Sequence, residues 1–461
     1  MGSSVRELAD RTPAGRDRYV DLLRVASLGT VVAGHWLMAA VTVGDDGRAE
    51  VGNLLAVVPD LQLLTWALQI MPVFFFVGGF SHALSYRSSS RRSAGRSGYS
   101  AFLRARLQRL LRPTMVFIGV WGAGALALQL GGRGGGLLEV ALRLVAQPLW
   151  FIGIYLAMVA FTPPLLRLHE RWGWGAFGAL VGAAGAVDVA RFAFGVPYVE
   201  FLNFAFVWLA VHQLGFLRAD GRLRMPYVLA GAGLVGAALL VALGPYPLSM
   251  VGMPGERVSN MAPPTFALLC HGMWLVGAVE LLRAPATRWL ARPRVWRGVV
   301  AANGISMTAF LWHLTAMLGV YGALLALDVP LPEPATGAWW AQVPPRMAAA
   351  AALTAALVAV FRRFERPGAA REPGASGAFS GPAAAVGVTL CLFGVLGLSM
   401  VGFGGLLEGR TALLVAVHVT APAAVAMALV GWLLVERAGR GRSRGPVPGD
   451  GRGAVRAGDY A

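Results

Sequence analysis

The stretch DLLRVASLGTVVAGHWL, residues 21–37, is apolar and long enough to form the first membrane crossing of the chain, yet it carries an arginine and a histidine, Arg24 and His35. Eleven steps of about 100° bring these positions back to within about 20° of each other. They therefore share one helix face, roughly 16 Å apart along the axis. Ionisable groups are costly in lipid, so a face that keeps two of them is a candidate for function.

The rest of the chain has the same character. Its hydrophobic fraction is 56%, its charged fraction 14% and its mean hydropathy +0.61, with the apolar residues gathered in runs near the length of a membrane span. This composition defines an all-α, polytopic integral membrane protein. The net charge of +17 comes from 40 basic residues, all arginine, which collect at the ends of the apolar runs. They read as topological charge and not as a nucleic-acid surface. Cys270 and Cys391 both lie inside apolar runs, so neither a disulfide framework nor a metal site is indicated. The polar N-terminus, with Glu7, Asp10 and Asp17, does not read as a cleavable signal.

Twelve transmembrane helices are expected, near 20–41, 55–86, 113–131, 146–166, 174–191, 199–217, 226–243, 263–282, 300–325, 344–361, 382–405 and 411–435. With the N-terminus inside, only Arg48, Arg133, Arg143, Arg191, Arg257, Arg346 and Arg410 face outside, an asymmetry that sets the orientation with both termini cytoplasmic; the expected location is the plasma membrane. The second segment exceeds what a bilayer needs and is expected to tilt, break near Pro72 or extend beyond the membrane. The domain plan is a cytoplasmic tail over 1–19, a ten-helix core over 20–361, a cytoplasmic linker over 362–381, a further helix pair over 382–435 and a basic tail over 436–461.

Several stretches, in order, resemble the acyltransferase 3 family of membrane O-acyltransferases. Asp21, Arg24 and His35 match its first-helix pattern, an Asp-x-x-Arg followed by ten residues and a histidine. FFFVGGF at 74–80 is similar to its second-helix motif, and RLQRLLRP at 106–113 to its Arg-x-x-Arg run before a proline. LWFIGIYLAMVAFTPPL at 149–165 and SMTAFLWHL at 306–314 look like its later motifs. The chain has Gly78 where many members have serine, and no carboxylate between Phe151 and Tyr155 where many have glutamate. The last two helices fall outside the family's core.

The resemblance implies transfer of an acyl group, acetyl foremost, from cytoplasmic acyl-coenzyme A to a hydroxyl of a carbohydrate, glycolipid, wall polymer or natural product. Coenzyme A would be a co-substrate, with no bound cofactor and no nucleic acid involved. An alcohol needs a base to become a good nucleophile, and the family assigns that task to the residue matching His35, with Arg24 assisting. Phosphates of the donor call for fork-shaped cations, which Arg104, Arg106, Arg109 and Arg112 could supply. His313, Asp21, Trp150 and Tyr155 are candidate pocket residues, Asp21 as the group that orients Arg24. Asp188 and Arg191 read as a helix-end ion pair. His82 reads as interfacial or structural, and Glu200, Asn203, His212 and Glu280 as possible lining of a polar cavity. The contrasting class is a carrier or exporter of small acids or modified sugars, with Arg24 and His35 as its proton or anion path.

Overall fold

The computed structural model describes residues 5–437 apart from 14, 44–48, 93–97, 133–135, 254–255, 365–380, 408 and 415–416. Most of the expected linker and tail lies outside the described residues.

A short helix, α1 (Val5–Asp10), precedes α2 (Arg18–Met38). Asp17 caps α2, its carboxylate accepting from the N–H groups of Tyr19 at 3.1 Å and Val20 at 3.2 Å. Helix does not continue to residue 41 as expected. The β-branched run at 41–43 instead forms an antiparallel hairpin, β1 (Ala39–Val43) with β2 (Ala49–Asn53). Then α3 (Leu54–Val57), a 3₁₀ turn over Pro59–Leu64 and α4 (Thr65–Leu68) lead into α5 (Met71–Arg92). The long second segment is thus broken, with Pro72 in the first turn of α5, where its missing N–H is no loss.

α6 (Gly98–Leu130) begins well before the expected start at 113 and runs through Pro113, so Arg104, Arg106, Arg109 and Arg112 lie on one helix with the crossing. The amphipathic α7 (Gly136–Leu144) was not foreseen; α8 (Pro148–Trp172), α9 (Trp174–Phe192), α10 (Asn203–Ala219), α11 (Pro226–Leu243) and α12 (Phe266–Leu281) follow the expected segments. α12 turns by 50° into α13 (Arg283–Leu290), which is followed by α14 (Pro293–Asn303). α15 (Ser306–Ala326), α16 (Gly337–Phe361) and α17 (Gly381–Val401) come next, then a second hairpin, β3 (Thr411–Leu414) with β4 (Val417–Thr420), and α18 (Ala421–Arg437).

Among the described residues nine helical stretches are long and apolar enough to cross a membrane, and the bent α12–α13 pair makes a tenth. α2 adds a 21-residue helix less apolar because of Asp21, Arg24 and His35, and α18 a shorter apolar one. The chain is a polytopic all-α membrane protein. α11 illustrates the lipid-facing class: Leu229, Ala230, Gly233 and Ala237 are buried while Val228, Val235 and Leu239 are exposed on the opposite side.

Small residues let the helices touch backbone to backbone. A Cβ on Gly79 of α5 would sit 2.0 Å from the carbonyl oxygen of His212 on α10, and one on Gly215 would sit 2.3 Å from that of Phe76. The last helix pair uses the same device. A Cβ on Gly431 of α18 would lie 2.6 Å from the Gly387 carbonyl of α17, and one on Gly153 of α8 would lie 2.4 Å from Leu396 of α17. Fully buried Phe403 packs edge-on to Phe117 at 6.3 Å and against Trp121 at 6.5 Å, so α17 and α18 share the core of α6 and α8.

The expected Asp188–Arg191 ion pair is not formed. Asp188 instead accepts from Asn203 Nδ2 at 2.8 Å, the Tyr246 hydroxyl at 3.0 Å and the Phe266 N–H at 2.7 Å, tying α9, α10 and α12 to the loop before α12. Buried carboxylates prefer several donors, and backbone and amide donors here replace the guanidinium.

Candidate functional site

The face shared by Arg24 and His35 carries two polar centres at two levels of the bundle. At the far end of α2, His35 Nδ1 lies 2.7 Å from Nε2 of His313 on α15, with the rings nearly parallel at 9° and their centroids 5.0 Å apart. His313 is fully buried, and its Nδ1 lies 2.5 Å from the carbonyl oxygen of Phe310. A carbonyl only accepts, so His313 Nδ1 carries the proton and, in the neutral ring, Nε2 is an acceptor. His35 Nδ1–H therefore donates to it, which leaves the lone pair on His35 Nε2. That nitrogen makes no hydrogen bond among the described residues. Trp36 Nε1–H donates to the His313 carbonyl at 3.1 Å and pins the two helices together one residue further on.

At the near end, two guanidinium groups converge on one residue of α5. Arg24 Nη2 donates to the Ser81 hydroxyl at 3.1 Å, and Arg106 Nη2, from α6, donates to the Ser81 carbonyl at 3.1 Å. Asp21 is only 3.4 Å from Arg24 Nη1, while its shorter bonds, 2.5 and 3.0 Å, come from Arg16. The hydrogen bond to Asp21 is the main reason the Arg16 guanidinium is held above its ordinary pKa. Arg24 is thus only loosely neutralised, and Arg106 binds a carbonyl and not a carboxylate. Two such cations side by side form an anion-binding geometry.

Next to Ser81, His82 joins a hydrogen-bonded chain: its Nδ1 is 3.0 Å from Nε2 of the equally buried His212 on α10, and its Nε2 is 3.0 Å from the hydroxyl of the partly buried Tyr155 on α8. The backbone contact at Gly79 and Gly215 places the two imidazoles at this distance. A Cβ on Gly78 would face all three side chains, at 3.6 Å from Tyr155, 3.9 Å from His82 and 4.0 Å from His212.

Of the residues singled out in the sequence, His35 meets His313, and Arg24 meets Arg106 through Ser81. Tyr155 belongs to the near-end centre through His82. Trp150 packs on its neighbour Phe151 at 6.4 Å. Arg109 is exposed, Arg112 lies 3.7 Å from Glu436 of α18, and the side chain of Arg104 lies outside the described residues. Ser81, His82 and His212 had been passed over or ranked low. The pattern that could have found them is positional: Ser81 and His82 directly follow FFFVGGF, whose glycines require a helix in contact.

The fold defines the class, a multi-pass helical membrane protein. The model of the acyltransferase 3 family, described as an acyltransferase domain, matches residues 17–363, from the cap of α2 to just beyond α16. The chain belongs to this family and is a membrane acyltransferase. No curated protein and no solved structure matches it.

Proposed function

We propose that the protein moves an acyl group, acetyl foremost, from acyl-coenzyme A to a hydroxyl of a carbohydrate, glycolipid, wall polymer or natural product. It does so from the plasma membrane, with the Arg24 end cytoplasmic. The observation that carries this reading is the tautomer fixed by the Phe310 carbonyl, which leaves His35 Nε2 as a base on the same helix face as the arginine pair. Arg24 and Arg106 hold donor phosphates, and the pantetheine arm spans the roughly 16 Å between the two levels. Arg109, with Arg104 and Arg112 at its margin, adds to the cationic field around the donor.

In the reaction, the acceptor O–H gives its proton to His35 Nε2 as the oxygen attacks the thioester carbonyl. His313 takes the Nδ1–H hydrogen bond of the resulting imidazolium. The tetrahedral intermediate collapses with cleavage of the carbon–sulfur bond, and the coenzyme thiolate recovers the proton from His35. Ester and free coenzyme A leave.

The test is release of coenzyme A from acetyl-coenzyme A by purified protein in inside-out vesicles supplied with lysate glycans. Acceptor-dependent release that disappears in His35→Ala supports the reading. Absence of release with every acceptor pool overturns it in favour of a carrier.

A further inference from the structure

The chain of His212, His82 and Tyr155 takes no part in the transfer step, yet it adjoins the seat formed by Arg24 and Arg106. His82 directly follows Ser81, whose hydroxyl and carbonyl receive the two guanidinium groups. It lies within electrostatic reach of both cations, and Tyr155 lies within that of Arg106. Helices α5, α8 and α10 each contribute one member of the chain, and the close approach at Gly79 and Gly215 sets its geometry.

The far end of the chain decides where its protons sit. Two cations already meet here, so a further charge on a buried ring is unfavourable and both imidazoles are neutral, each with one N–H and one lone pair. His82 Nδ1 and His212 Nε2, 3.0 Å apart, share one hydrogen, and so do His82 Nε2 and the Tyr155 oxygen. Two arrangements satisfy both contacts. If the protons point from Tyr155 toward His212, His212 Nδ1 keeps an N–H; if they point the other way, it keeps a lone pair. That nitrogen is buried and has no hydrogen-bond partner. Buried N–H groups without a partner are rarer than unfilled acceptor sites, which favours the second arrangement. His212 Nε2–H then donates to His82 Nδ1, and His82 Nε2–H donates to the Tyr155 oxygen. The hydroxyl proton of Tyr155 is left unused: the group makes no other hydrogen bond among the described residues, and its side chain is only partly buried.

We infer that Tyr155 is a third ligand of the coenzyme phosphates, a neutral O–H beside the cations Arg24 and Arg106, and that His82 and His212 are positioning residues which keep that hydroxyl a donor. An oxygen that already accepts from an imidazole makes its own O–H a stronger donor, because hydrogen bonds in a chain polarise one another. This inference rests on the coenzyme reading of the arginine pair and extends that seat to α8 and α10.

The experiment is equilibrium binding of free coenzyme A to purified full-length protein in phosphatidylcholine nanodiscs, which needs neither acceptor nor turnover. Arg106→Ala reports on the arginine seat and Tyr155→Phe on the hydroxyl, and each is expected to raise Kd by about 10-fold, the value of one hydrogen bond to a charged group. His212→Phe keeps a ring but removes the N–H; it is expected to weaken binding too, and to add nothing further in Tyr155→Phe. His212→Gln presents an N–H near the place of Nε2 and is expected to restore binding, a rescue that loss of packing alone would not give. Every variant is checked by thermal unfolding, and Tyr155→Phe, which removes a single oxygen, decides the matter where a histidine variant does not fold. Weaker binding in Arg106→Ala with unchanged binding in Tyr155→Phe overturns the inference and leaves the arginine seat standing. Unchanged binding in both, or no binding by wild type, overturns the seat and the inference with it. Equal losses in His212→Phe and His212→Gln overturn the positioning role.

Discussion

His35 Nδ1 and His313 Nε2 lie 2.7 Å apart, and the carbonyl of Phe310, on the other side of His313, dictates which of the two carries the proton between them. One backbone oxygen thereby sets the protonation of a base on another helix. The arrangement resembles the use of a carboxylate to orient a catalytic histidine, with a neutral imidazole in its place.

Replacing each histidine should separate the two roles. His35→Ala should lower acceptor-dependent coenzyme A release by about 10²–10⁴-fold, the usual contribution of a positioned base. His313→Ala should lower kcat by about 10–100-fold through loss of one hydrogen bond to the cationic ring, with little change in donor KM. Equal losses from both variants would mean that the two rings act as one unit.

Donor affinity should respond to the arginines according to what each touches. Arg106→Ala should raise the KM for acyl-coenzyme A by about 10-fold, the value of a charge-assisted hydrogen bond. The exposed Arg109 should matter several-fold less, and its loss should be masked by added salt. Steady-state kinetics at low and high ionic strength check both.

The α5–α10 crossing predicts a contrast between adjacent glycines. Gly79→Ala puts a methyl within 2.0 Å of the His212 carbonyl and should cost at least about 1–3 kcal/mol, seen as a lower Tm in detergent. At Gly78 the nearest atom is 3.6 Å away, so Gly78→Ser should leave Tm nearly unchanged. A destabilised Gly78→Ser with an unaffected Gly79→Ala would contradict this packing.

Asp220, just beyond α10, links Arg87 at 2.5 Å and His169 at 2.9 Å. Burial pushes its pKa up, but the hydrogen bonds from Arg87 and His169, helped by the Arg87 charge, outweigh it and hold the carboxyl below its ordinary value. A depressed pKa means that the unfolded state binds the proton first. The stabilisation is therefore complete above the ordinary carboxylate range, near pH 4, and is lost as pH falls through the lower folded value. Melting curves between about pH 6 and pH 3 should show a drop in Tm for wild type that Asp220→Asn lacks.

Removing α17 and α18 exposes the surface around Gly153, Phe117 and Trp121 that Leu396 and Phe403 cover. A chain ending at residue 364 should yield little monodisperse protein in detergent. A well-behaved truncated protein with full activity would show the pair to be dispensable.

The apolar runs made the membrane class and most segments legible, because the bilayer imposes length and apolarity on any helix that crosses it. Residues 39–53 escaped, since a β-hairpin directly after a crossing leaves only a few β-branched residues as its signal. That one helix runs unbroken from the arginines at 104–112 through Pro113 into the crossing expected from 113 was not legible, because charge and a proline mark an interface boundary in sequence. At the site, Arg24 and His35 were visible from their spacing on one helix. The contribution of His82, His212 and Ser81 was not, because it depends on which helices touch. Gly79 and Gly215 encode that contact, but a glycine in a sequence does not name its partner.

Ser81 receives its two cations as arginines, which keep their charge at any pH a cell reaches. On the proposed donor reading, a grip on phosphate built this way would be indifferent to the acyl chain. Spent coenzyme A, which retains every phosphate of the loaded donor, would be held as firmly as its precursor. Turnover would then be paced by departure of the thiol product, and free coenzyme A would compete with the donor for the seat and slow the enzyme as it accumulates. The protein would in effect read the ratio of loaded to unloaded carrier, and acylation outside would follow the metabolic supply inside.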